Sequence, residues 1–131
     1  MRSFDAPHRR RAPLSFTAST LRGEAVSHTF TGTTLVVAIK TRCDGCRDFV
    51  NAPLEELNGV SVVIVSATND ESGEWTNSRH EILVAPELLV ELGIRWPPFY
   101  VVIDATAGEV ITEGVVFGPS QVAQEIAPHL V

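Results

Sequence analysis

The stretch Leu35-Val36-Val37-Ala38-Ile39-Lys40-Thr41-Arg42-Cys43-Asp44-Gly45-Cys46 decides how this 131-residue chain reads. Its first five residues are apolar and rich in β-branching, which predicts a buried strand. From Cys46 through Arg47-Asp48-Phe49-Val50 to Leu57 the residues suit a helix. The only two cysteines of the chain therefore stand where a strand becomes a helix. A cysteine at a helix N-cap meets unpaired backbone N–H groups and the positive end of the helix dipole, and both favour thiolate over thiol. Lys40, Arg42 and Arg47 add to that bias while Asp44 and Asp48 oppose it, so the expected shift of the Cys43 thiol is downward. Positions i and i+3 share a helix face, which brings Cys46 within reach of Cys43 for a small disulfide ring that opens and closes by exchange.

Two other readings of the pair stay open at this level. A zinc site usually takes four ligands, and two cysteines would have to recruit from His8, His28, His80 and His129, none of which forms a close pair. Alternatively both thiols are inert core residues, although a strand-to-helix junction is a poor place to hide them.

Composition sets the outer limits. A 44% hydrophobic chain of this length supports one core and one domain. Neither a membrane span nor a secretory apolar segment is visible, and the polar run Ser15-Phe16-Thr17-Ala18-Ser19-Thr20 after Arg9-Arg10-Arg11 does not complete a twin-arginine signal. The expected setting is the cytoplasm, or an exported location if a leader has been removed. Residues 1–13 hold four of the ten basic groups and one acid, and read as a flexible basic tail ahead of a domain over 14–131. The remaining body carries six basic against fifteen acidic groups, which argues against nucleic acid as a partner.

The order of elements follows from pattern. Leu21 to His28, with its turn glycine, suggests a small N-terminal hairpin. The Leu35 strand, a helix from Cys46 to Leu57 kinked at Pro53, and the strand Val60 to Val65 form a β-α-β unit whose two strands are expected to be parallel, with Asn58-Gly59 as the helix stop. Thr68 to His80 is polar and reads as a loop. A short strand from Glu81 to Val84 leads into a helix from Pro86 to Leu92, punctuated by Pro86 and Gly93. Phe99 to Asp104 and Glu109 to Val116 form an antiparallel hairpin. A last helix runs from about Ser120 to Leu130, with Val122, Ala123, Ile126 and Leu130 on one face.

This order, with Cys43-Asp44-Gly45-Cys46 in the redox-motif position and Gly93-Ile94-Arg95-Trp96-Pro97-Pro98 leading into a strand, resembles the thioredoxin-like superfamily. The two hairpins are more similar to its TlpA/ResA-like branch than to short thioredoxins. The resemblance spans about residues 21 to 130. It implies an α/β thioredoxin fold with a central mixed sheet flanked by helices and extended by an N-terminal hairpin. It also implies a function, protein-disulfide exchange without a cofactor or metal. Cys43 is then the nucleophile, Cys46 the resolving thiol, and Pro98 a cis residue packed against the sulfurs. Arg42, Trp96, Pro97 and Pro98 would contact a disulfide- or thiol-bearing protein partner, with an external electron donor completing the cycle.

Departures from that pattern matter. Val37 occupies the place of the family's buried acid, Ser66-Ala67-Thr68 stands where a lysine is frequent, and Arg42 replaces an aromatic. A proton acceptor for Cys46 would then be water or a loop carboxylate such as Glu71 or Glu74. Pro97 has no N–H to offer a partner backbone. A binding module with weak or absent redox activity is therefore a second function class. Peroxide reduction fits less well, because Lys40 fills the position where peroxiredoxins carry threonine.

Overall fold

The computed structural model describes residues 10–70 and 73–130. A seven-stranded mixed sheet runs through the centre in the order β2-β1-β5-β4-β3-β6-β7. The strands are β1 (Ser15–Ser19), β2 (Ala25–Thr29), β3 (Thr33–Ile39), β4 (Ser61–Ser66), β5 (Ile82–Val84), β6 (Phe99–Asp104) and β7 (Glu109–Val115). β3, β4 and β5 are parallel neighbours, and β6 pairs antiparallel with both β3 and β7. The helices are α1 (Asp44–Asn51), α2 (Pro86–Glu91) and α3 (Pro119–Ile126).

β3 explains the layering. Thr34 to Ile39 are all buried, and the two-residue period of a strand sends alternate side chains to opposite faces. Val36 and Ala38 join Phe16, Phe30, Val65, Leu88, Leu89, Leu92 and Val101 in the core under α2. Leu35, Val37 and Ile39 join Cys46, Phe49, Val50, Tyr100, Val122 and Ile126 in the core under α1 and α3. The helices thus cover both faces of a central strand, in agreement with the expected α/β class.

The helix ends follow local chemistry. Pro53 does not kink a helix running to Leu57; α1 stops at Asn51, because Ala52 takes an extended conformation (φ −83°, ψ 149°) before the proline ring. A separate 3₁₀ turn, Glu55–Leu57, follows. At the end of α2, Gly93 sits at φ 74°, its N–H donates to Val90 O at 3.0 Å, and Ile94 N–H donates to Leu89 O at 2.9 Å. That is a Schellman stop built on glycine. α3 is shorter than expected: it ends at Ile126, and a 3₁₀ turn over Ala127–His129 leaves Leu130 exposed.

The N-terminal hairpin lies earlier than the sequence suggests. Its strands are β1 and β2, paired from Ser15–Thr29 to Ser19–Ala25, so Leu21 to Glu24 form the connecting turn. Of the basic arm, residues 1–9 lie outside the described residues. Arg10 to Ala12 run along β7: Val110 N–H donates to Arg10 O and Ala12 N–H donates to Gly108 O, both at 2.8 Å. The Arg10 guanidinium donates to Leu92 O at 2.8 Å and pairs with Glu113.

Candidate functional site

β3 delivers the chain to the C-terminal end of the parallel strands, where the site is built. Thr41 and Arg42 make the turn, and Arg42 adopts φ 60° in the left-handed region. Cys43 follows as the N-cap of α1, and its Sγ accepts the Cys46 N–H at 3.2 Å. A sulfur in that place does for the first turn what a serine or aspartate oxygen usually does. Cys43 and Cys46 are joined in a disulfide, with their α-carbons 5.2 Å apart. Their environments differ: Cys43 is half-buried, whereas Cys46 is fully buried in the core beneath α1. Val37, at the position where thioredoxins carry an acid, lies in that same core, so the inner sulfur sits in apolar surroundings.

The loop after β4 supplies the polar side of the site. Glu74 Oε1 accepts the Arg42 N–H at 3.1 Å, and its other oxygen lies 4.0 Å from Arg47 Nη1. Arg47 also pairs with Asp44 across one turn of α1. Trp75, next to Glu74, is 1% exposed and packs in the core with Cys46 and Phe49. The same loop is pinned by Asp70, whose Oδ2 accepts the Trp75 N–H at 2.9 Å. Of the two loop acids named from sequence, Glu74 reaches the cysteine turn and Glu71 lies outside the described residues.

On the other side, the Pro97–Pro98 peptide bond is cis. The Pro98 ring rests on the cysteine turn, since a β-carbon added at Gly45 would lie 3.3 Å from Pro98 Cγ. The Pro98 carbonyl accepts the Val116 N–H at 3.1 Å, which carries the β6–β7 ladder one step further and brings Phe117 level with Pro97. Trp96 is 76% exposed and Phe117 83% exposed. Of these residues Pro98 is the one in reach of the cysteine turn; Trp96 precedes the Pro97–Pro98 pair and Phe117 follows Val116, the hydrogen-bond partner of Pro98. Phe117 was not legible from sequence, because it falls between a strand and a helix pattern. Its only signal is an aromatic residue directly before Gly118-Pro119.

Arg42 is exposed. It lines an open cleft of about 830 Å³ with Thr17, Ser19, Thr41, Thr68 and Glu87, on the side of β1 and β5. The sequence grouped Arg42 with Trp96, Pro97 and Pro98; none of those three lines this cleft. Of the histidines weighed as zinc ligands, His28 packs on Phe16 and Phe30, His80 Nε2 is 3.0 Å from Ala52 O, and His8 lies outside the described residues. Among the described residues no three His, Cys, Asp or Glu side chains are grouped to hold a metal ion, and no helix is long and apolar enough to cross a membrane.

Comparison with known proteins places this architecture. No protein-family model matches the sequence, and no curated protein does either. Solved structures do match. A thiol:disulfide interchange protein from Bacteroides sp. superposes with a TM-score of 0.69 at 18% identity, over 95% of this chain and 90% of that one. The thioredoxin domain of a thiol-disulfide oxidoreductase from Bacteroides vulgatus gives 0.67 at 16% identity, over 96% and 100%. StoA from Bacillus subtilis gives 0.63 at 19%, over 87% and 97%. At these identities the likeness establishes the fold: the chain has the thioredoxin-like fold.

Proposed function

We propose that this chain is a thiol-disulfide oxidoreductase that reduces disulfides in partner proteins. The observation that carries this reading is the unequal depth of two bonded cysteines at a helix N-terminus, one half-buried and one sealed beneath it. In the dithiol form, the Cys43 thiolate attacks one sulfur of a partner disulfide; that bond breaks, and the departing partner sulfur leaves as a thiolate that takes up a proton. A mixed disulfide now joins Cys43 to the partner. Cys46 loses its proton and attacks Cys43 Sγ, so the second partner sulfur leaves as a thiol and the Cys43–Cys46 bond forms. The partner has gained two electrons and this chain has lost two. An external dithiol donor restores the starting state.

The helix N-terminus favours a thiolate at Cys43 in both attack and departure. Pro98 against the cysteine turn, with Trp96 and Phe117 exposed, supports a role for these residues in seating the partner segment that carries the disulfide. A cytoplasmic setting, where thiols are kept reduced, favours this direction of electron flow. The hairpin β1–β2 and the β6–β7 hairpin support the TlpA/ResA-like branch.

A second reading is a binding module whose disulfide is structural. It is favoured by apolar Val37 beside Cys46 and by the missing N–H at Pro97. One experiment separates the two. Equilibrating the protein in glutathione buffers and assaying reduction of insulin should show a reversible dithiol and turnover. Cys43→Ser should abolish turnover, and Cys46→Ser should stall as a mixed disulfide. A bond that does not exchange, or turnover that survives Cys43→Ser, would overturn the enzyme reading.

A further inference from the structure

The turn between β3 and α1 has to be held in place. Arg42 lies at φ 60°, a conformation that a residue with a β-carbon keeps only where its surroundings over-determine it. Two contacts do so. Thr41 N–H reaches Thr68 Oγ1 at a long 3.4 Å, and Arg42 N–H donates to Glu74 Oε1 at 3.1 Å. The second is the shorter, and its acceptor is a side chain only 13% exposed. The other oxygen, Oε2, is buried without a hydrogen-bond partner and, among the described residues, has only the Arg47 guanidinium, at 4.0 Å, to offset its desolvation. Nothing in the disulfide-exchange steps above uses it.

We propose that Glu74 is a positioning residue for the nucleophile. By capturing the Arg42 N–H it fixes the left-handed turn that sets Cys43 on the N-cap of α1, where Sγ accepts the Cys46 N–H at 3.2 Å. The inference rests on the reading of Cys43 as the attacking sulfur. The carboxylate has two effects of opposite sign on that sulfur. Its hydrogen bond places the thiolate where the helix stabilises it, while its charge disfavours a second anion nearby. Among the described residues, the other charged groups about the turn are Lys40 and Arg42 on its own segment, Asp44, Arg47 and Asp48 on α1, Asp70 on the Glu74 loop, and Glu87 on α2 across the cleft that Arg42 lines; Pro98, which rests on Gly45, adds none.

Substitution separates the two effects, because glutamine keeps an acceptor oxygen without the charge and alanine removes both. In a Cys46→Ser background, Cys43 is the single thiol, and its iodoacetamide rate against pH gives the midpoint of thiolate formation. Glu74→Ala should raise that midpoint by about one unit toward the free-thiol value near 8.5, slowing alkylation at pH 7 about tenfold. Glu74→Gln should leave it at or below the parent value. With Arg42→Gly, which adopts the left-handed turn unaided, Glu74→Ala should no longer raise the midpoint, a non-additivity that a bulk stability effect does not produce. This last pair also decides the matter if alanine alone unfolds the protein. A lowered midpoint in both single variants would reduce Glu74 to a charge, and an unchanged midpoint in alanine would reduce it to a space-filler; either result overturns the proposal. The alkylation midpoint is read without a partner, so failure of insulin turnover in the wild type counts against the enzyme reading and leaves this test standing.

Discussion

Pro97 illustrates how one residue limits the site. A partner segment lying along Pro97-Pro98 would pair with main-chain groups at this position, and proline supplies a carbonyl but no donor. One forgone hydrogen bond costs on the order of 1 kcal/mol. Replacing Pro97 with Ile or Thr should therefore raise insulin-reduction turnover by up to about fivefold, read as kcat/KM. An equal or lower value would show that partners do not bind through this amide. The cysteines were the most legible residues of the site, since strand, spacing and helix all pointed at them. Arg42 was legible as a cation but not as a left-handed residue, because its conformation depends on Glu74, thirty-two positions away. Trp75 was not legible at all: a single tryptophan in a polar loop carries no periodicity, and only the fold brings it into the core that holds Cys46.

Elements were legible where pattern and burial agree. β6 has the bounds that its apolar run suggests, Phe99–Asp104, because it pairs on both sides and is buried at four of six positions. β1 escaped notice, since Ser15-Phe16-Thr17-Ala18-Ser19 is mostly polar by residue type. Its alternation was nevertheless present, with Phe16 and Ala18 buried and Ser15 and Thr17 exposed. The end of α1 was misplaced because the effect of Pro53 on Ala52 outweighed the helix-compatible residues beyond it. β7 holds an element-level test. Gly114 faces Tyr100 across the ladder, and an added β-carbon would lie 2.9 Å from Tyr100 Cε2. That ring is itself fixed by burial and by its hydroxyl, which donates to Glu125 Oε1 on α3 at 2.8 Å. Gly114→Ala should cost about 1–3 kcal/mol of unfolding free energy, measured by urea denaturation. A change within a few tenths of a kcal/mol would mean that the ring moves freely.

At the scale of the molecule, the Tyr100–Glu125 contact ties the sheet to α3 and gives stability a pH dependence at the alkaline end. Burial first, and then the hydrogen bond and negative charge of Glu125, hold the Tyr100 hydroxyl protonated well above its ordinary range. The unfolded chain releases this proton near pH 10. Because the folded state binds the proton more tightly, stability is present in full below about pH 10 and falls as pH rises beyond it. Glu125 is shifted the other way, held below the usual carboxylate range by Gln121 and then by Tyr100; its contribution is present above the ordinary carboxylate range and is lost as pH falls through its lowered value. Tyr100 is the only tyrosine of the chain, so ultraviolet absorbance reports it alone. Native protein should show no phenolate at pH 10.5, and phenolate should appear together with unfolding. Phenolate absorbance in the still-folded protein would contradict this.

The buried centre of the sheet was legible in the apolar run Leu35 to Ile39 of β3, although one core was expected where two lie against its faces. How the N-terminal segment ends was not. Arg10 to Ala12 look like the close of a solvated tail, yet backbone pairing with β7 and the guanidinium bond to Leu92 O dock them.

The difference in depth between the two sulfurs reaches beyond this polypeptide. If Cys43 attacks as proposed, a covalent adduct has one point of attachment, and a trapping column built on the Cys46→Ser protein would retain its captives one per molecule. Eluting them with dithiothreitol would yield a catalogue of natural clients, each identified by the cysteine it had surrendered.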